Sequence, residues 1–217
     1  MSLAMDETPT DQDNANDFVI TPKIRKDWDS ALSFTQRTHQ KDIDWIKTRN
    51  TLTRDFDDFF YNYIYVVIAS GFKGATAARL TPKLFACSGD LDEMRKVFKN
   101  EQKITAIHDV YELRSKWGDI LKTLTTVDSL KQFPRIGDVV KFHLARNIGL
   151  ISCAKPDLHL VRYCAEQNCS DPHVLIDALA RLVGMAAGTV DFVMWVWLSH
   201  SRGTKEMKCC NSEFMLR

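Results

Sequence analysis

Apolar positions along the chain recur at helical spacing almost throughout, and no alternating apolar–polar run bounded by turn signals interrupts them. The densest stretch is 55–70, DFDDFFYNYIYVVIAS, which reads as a buried core helix although its Tyr-Ile-Tyr-Val-Val-Ile portion would favour a strand in isolation. Upstream, Thr21-Pro22 is a helix start, and Trp28, Leu32, Ile43, Trp45 and Ile46 predict one or two amphipathic helices within 28–53. Downstream, short helices are predicted over 75–80, 81–87 and 91–98, divided by Thr-Pro and Ser-Gly-Asp breaks, then over 103–113 and 118–124. Ser170-Asp171-Pro172 opens a helix over 174–183 that Gly184 ends, and Thr189-Val190-Asp191 opens the last one, VDFVMWVWLSH. The fold class expected is all-α.

Between these elements lies the stretch with the most chemistry, 130–163, LKQFPRIGDVVKFHLARNIGLISCAKPDLHLVRY. A short helix over 129–133 is stopped by Pro134, which lacks the N–H a continuing helix needs. Gly137 supplies permissive backbone, and from Val139 the residues Val140, Phe142, His143, Leu144 and Ile148 recur at helical spacing until Asn147-Ile148-Gly149 ends the run. A tight turn that opens a helix presents unpaired backbone N–H groups, and with the helix dipole these form an anion site suited to a phosphate backbone. Further on, Pro156 fixes the entry to another helix, with Asp157 at its first turn. Taken alone, such a Pro-Asp is a helix cap.

Composition adds bounds. At 217 residues and 45% hydrophobic content the chain can bury a sizeable core in one domain or two intimate lobes. No apolar run approaches the roughly 20 residues a bilayer requires. The first 17 residues carry five acids and no base, without a basic n-region or an apolar segment, so a disordered acidic tail and a cytoplasmic protein are expected. A net charge of +1 is uninformative, but 131–162 holds six bases (Lys131, Arg135, Lys141, Arg146, Lys155, Arg162) against two acids. The six cysteines, Cys87, Cys153, Cys164, Cys169, Cys209 and Cys210, are spaced unlike a zinc site and read as free thiols; no metal is expected.

The hairpin Phe133-Pro134-Arg135-Ile136-Gly137, followed by Asp157-Leu158-His159-Leu160-Val161-Arg162, resembles the helix-hairpin-helix, Gly/Pro-Asp superfamily of DNA glycosylases. That family has Leu-Pro-Gly-Ile-Gly and then a catalytic Asp; this chain departs from it at Arg135, where Gly is usual. The resemblance implies two lobes with the active cleft between them. A central bundle over 55–150 would end in the hairpin, 18–54 and 151–205 would form the second lobe, and 206–217 would be a frayed tail. Asp157 would be the catalytic carboxylate. Arg135, Ile136, Gly137, Asp138 and Lys141 would bind DNA, while Trp45, Phe72, Lys73, Lys155, His159 and Arg162 are base-pocket or cleft candidates. Phe72 and Lys73 stand in the loop 71–74 which, in the family, can fill the gap left by an extruded base; the alternative is that Gly71 and Gly74 only join two helices.

Some members of the family hold an iron–sulfur cluster, which the cysteine spacing here does not fit. Bifunctional members use a hairpin Lys where this chain has Val139, so the resemblance implies a monofunctional glycosylase without cofactor, acting on double-stranded DNA, with no membrane and no obligate protein partner. The segments Ala69-Ser70-Gly71-Phe72, FPRIGD and Lys-Pro-Asp-x-His-Leu-Val-Arg are similar to a divergent branch linked to phage hypermodified pyrimidines and to anti-phage defence. The base expected from that likeness is a bulky modified pyrimidine such as glucosylated hydroxymethylcytosine. A non-catalytic DNA-binding module and a base-hypermodification enzyme on the same fold are the alternatives.

Overall fold

A computed structural model describes residues 18–203, and the expected N-terminal tail and the chain beyond 203 lie outside them. Ten α-helices follow one another, and no strand occurs among the described residues. Helix α1 (Pro22–Lys47) begins where Thr21 caps it through its hydroxyl, and it is a single element kinked at His39, whose φ of −141° leaves the helical region. Helix α2 (Phe56–Ala69), capped by Asp55, is buried on nearly every side and settles its β-prone segment as helix. Burial in a helical bundle satisfies its backbone polar groups internally, which outweighs local strand preference.

Helix α3 (Gly74–Ala86) corrects the expected break at Thr81-Pro82: one helix continues through the proline. Leu80, Thr81 and Leu84 are buried on either side of Pro82, and Thr81 Oγ1 donates back to Ala77 O at 2.8 Å, so tertiary packing holds both halves in line. Helices α4 (Leu91–Val97) and α5 (Glu101–Tyr111) are capped by Asp90 and Asn100, and a 3-10 turn leads into α6 (Trp117–Thr123). The short helix expected over 129–133 is a 3-10 turn, Val127–Gln132. Then come α7 (Val140–Asn147), α8 (Leu158–Glu166), α9 (Pro172–Val183) and α10 (Ala187–Gly203). The last helix begins two residues before the expected Thr189, and Gly184 in the left-handed conformation turns α9 into α10 through 108°.

Buried side chains fall into two clusters. The first runs from Phe56 to Ile148 and is built around α2, with Phe59, Phe60, Tyr63 and Phe133 among its large residues. The second joins α1 to the chain after Ala154, packing Ile24, Trp28 and Ile43 against Tyr163, Leu175, Phe192 and Met194. The chain therefore crosses between the cores twice, near 48–55 and 149–153. These crossings touch: Thr53 N–H donates to Ile148 O at 2.8 Å, and a Cβ on Gly149, whose φ is +73°, would lie 2.1 Å from Thr51 O. Only glycine fits there.

Candidate active site

Asp157 is the N-cap of α8, its Oδ1 accepting from the N–H groups of His159 at 3.0 Å and Leu160 at 3.2 Å. Its second oxygen, Oδ2, takes no part in the cap and lies 3.9 Å from Lys155 Nζ. The carboxylate is thus held in one orientation by a helix N-terminus with its second oxygen outside the cap, an arrangement that suits a carboxylate beside a developing positive charge.

Lys155 connects Asp157 to an enclosed pocket of about 80 Å³, lined by Tyr65, Ala69, Phe72, Gly74, His143, Arg146, Lys155, Asp191, Phe192 and Trp195. Two of the sequence-predicted residues, Phe72 and Lys155, are therefore in the wall. Burial lowers the Lys155 ammonium below its ordinary value, with Asp157 opposing that shift. The same burial, helped by Lys155 and Arg146, holds His143 well below its usual range, so its imidazole is neutral. His143 meets the Tyr65 ring edge-on at 5.8 Å. Aromatic walls with a few polar groups suit a flat heterocycle. A larger hollow of about 460 Å³ beside α9, lined by Asp177, Arg181 and Met185 among others, is open and contains none of the predicted residues.

The pocket is organised by a residue absent from the sequence-based candidates. Asp191, 2% exposed, accepts from Arg146 Nη1 at 2.6 Å through Oδ2 and from the Lys155 backbone N–H at 3.0 Å through Oδ1. One carboxylate thereby ties α7, the segment leading to Asp157, and α10 together. Burial pushes its carboxyl upward, and Arg146 together with the Lys155 amide opposes this. The signal in the sequence was a lone acid inside VDFVMWVWL, where an unpaired charge would be intolerable. Asp42 is a second buried acid missed in the same way: it is 4% exposed, burial raises it to about 6, and it lies within electrostatic reach of Tyr65.

Arg146 corrects the sequence-based count of surface charge, because it is 6% exposed and paired inward. The hairpin itself is less basic than its composition implies. Lys131 bridges Asp128 and Asp138, and Lys141, its side chain 12% exposed, lies 2.7 Å from Asp128 Oδ1 and 3.5 Å from Asp138 Oδ1. Ile136 is buried in the first core, so it can offer DNA only its backbone. The amides of Gly137, Asp138 and Val139 donate to no carbonyl among the described residues and remain open at the start of α7. The turn geometry corrects a second expectation. The left-handed residue is the exposed Arg135, at φ 64°, while Gly137 has no positive φ.

Trp45 lies outside the pocket wall. It packs beside the second core and beneath the Arg49 guanidinium at 4.5 Å, and Arg49 in turn holds Asp58 through two hydrogen bonds. Lys73 is exposed at the N-cap of α3, Arg162 is exposed on α8, and His159 is half-buried with Nδ1 unpartnered, so these three are near Asp157 or the loop in sequence without lining the pocket. Cys153, Cys164 and Cys169 are buried free thiols, Cys87 is a partly exposed one, and Cys209 and Cys210 lie outside the described residues. No protein-family model matches the chain, and no curated protein or solved structure matches it.

Proposed function

We propose that the protein is a monofunctional DNA glycosylase with the two-lobed helix-hairpin-helix architecture, which turns a modified or damaged base out of double-stranded DNA and hydrolyses its N-glycosidic bond. The observation that carries this reading is the Asp157 carboxylate, fixed by the α8 N-terminus through Oδ1 and joined through the pairing of Oδ2 with Lys155 to an aromatic pocket. As the bond to the base lengthens, positive charge grows on the sugar, and an ionised carboxylate beside C1′ stabilises it and orients water. The Lys155 ammonium at the pocket wall offers a donor to the departing base. The open amides at 137–139 grip phosphate without reading sequence. Val139 stands where the bifunctional members of that family carry the Schiff-base lysine, so no lyase step is proposed.

The substrate we propose is a bulky modified pyrimidine such as glucosylated hydroxymethylcytosine, with defence against phage as the setting and the cytoplasm as the place. At about 80 Å³ the pocket is roughly half the 150 Å³ that admits a benzene ring in a protein interior, so it must widen to admit a base.

The observation favouring a non-catalytic DNA-binding module is the commitment of Asp157 Oδ1 to capping. Asp157→Asn separates the two readings, because Asn caps a helix as well as Asp but carries no charge. The wild-type protein is expected to release free base from damaged or phage-derived modified DNA, detected by mass spectrometry, and Asp157→Asn to lower the rate by about 10³-fold or more with an unchanged melting temperature. Equal release by the variant would sink the role of Asp157, and modification without release would identify a base-hypermodifying enzyme instead.

A further inference from the structure

We infer that Lys103, a residue outside both the hairpin and the Asp157 segment, is a positioning residue that clamps the Phe72 loop over the pocket. This rests on the glycosylase reading for what the loop does, and on geometry alone for the clamp. A helix C-terminus leaves its last carbonyls without intrahelical donors, and α2 ends at Ala69 just before this loop. Lys103, on α5, is 3% exposed and sends its ammonium to those carbonyls. Its Nζ donates to Val67 O, to Ser70 O at 2.6 Å and to Ser70 Oγ at 3.1 Å. The same Nζ lies 5.6 Å from the centre of the Phe72 ring, which Phe98 meets edge-on at 5.4 Å. A buried lysine is costly to keep charged unless its donors are satisfied, and here all three find oxygen.

The clamp also sets the spacing between loop and hairpin. Tyr63 lies on α2 four and seven residues before Val67 and Ser70, which places the three on one helical face. Its hydroxyl reaches Pro134 O in the hairpin at 2.7 Å, with Ala106 O of α5 at 3.2 Å. One face of α2, packed on α5, thus carries the hairpin at one end and the Phe72 loop at the other. If Phe72 enters the duplex as a base leaves it, Lys103 determines where the ring stands relative to the gripped phosphates.

Two measurements on the full chain test this. Without DNA, Lys103→Met is expected to speed amide hydrogen exchange over 70–74 by about tenfold, the scale of losing one hydrogen bond to a charged donor, while exchange in α7 stays the same. Unchanged exchange over 70–74 would overturn the clamp. The second measurement uses a duplex with 2-aminopurine next to a tetrahydrofuran abasic-site analogue, read by fluorescence for unstacking and by anisotropy for affinity. Lys103→Met and Phe72→Ala should each remove most of the fluorescence rise, with affinity kept within about twofold because the hairpin grip remains, and the double variant should lose nothing further. Additive loss in the double variant, or affinity falling with the fluorescence, would show a merely structural lysine and overturn the proposal. Wild-type binding without any fluorescence rise would count against the glycosylase reading and against a role for the clamp in base extrusion, while the exchange result would still decide the clamp itself.

Discussion

Arg135 is where one residue's backbone decides most about the hairpin. A side chain in the left-handed region costs about 1–2 kcal/mol, and glycine returns part of that relief as unfolded-state entropy. Arg135→Gly is therefore expected to stabilise the protein by about 0.5–1 kcal/mol in urea denaturation; a lower midpoint would mean that the arginine side chain holds the turn. The position was visible in the sequence as a departure from the glycosylase pattern, but its φ was not, because Gly137 two residues on looked like the natural place for unusual backbone. Site residues divide in the same way. Asp157 and Lys155 could be found from their local setting at a helix start. Arg146, Asp191 and Tyr65 could not be placed, since the contacts that make them a pocket join residues far apart in the chain, Arg146 with Asp191 across 45 positions and Tyr65 with His143 across more.

Elements were more legible than contacts. Caps at Thr21, Asp55 and Asp171 and the stop at Gly184 lie where side-chain chemistry places them, whereas α3 ran through Pro82 because burial of Leu80 and Leu84 is invisible to a local rule. The element that most needs revision is the hairpin with its entry to α7. Its two lysines are engaged by Asp128 and Asp138, Lys131 in exposed pairs of little stabilising value and Lys141 from a largely buried side chain, so on the proposed function these carboxylates mask charge that DNA would meet. Asp138→Asn frees Lys131 of one partner and raises the hairpin charge by one. Duplex affinity at low salt should then rise a few-fold, and the slope of log affinity against log salt should steepen by about one unit. An unchanged slope in fluorescence anisotropy titrations would place the DNA backbone elsewhere.

At the scale of the whole molecule, the Arg146–Asp191 pair joins the end of α7, which packs on the first core, to α10 in the second. Removing one partner of a buried pair leaves the other charge stranded, so Asp191→Asn is expected to cost about 3–5 kcal/mol in calorimetric unfolding. A cost below about 1 kcal/mol would mean that the cores are held by apolar contacts alone. The division into two cores has a consequence for how the chain reaches this state. The first core is one continuous stretch, whereas the second is built from α1 and from helices that arrive more than a hundred residues later. Bringing those flanks together directly would require closing a very long loop, a slow step dominated by chain entropy. Once the inner stretch has folded, the contact of Gly149 with Thr51 sets the two flanks side by side, and what remains is a short search. Assembly is therefore expected to run from the middle of the chain outward, with the half of the protein that carries Asp157 the last to form.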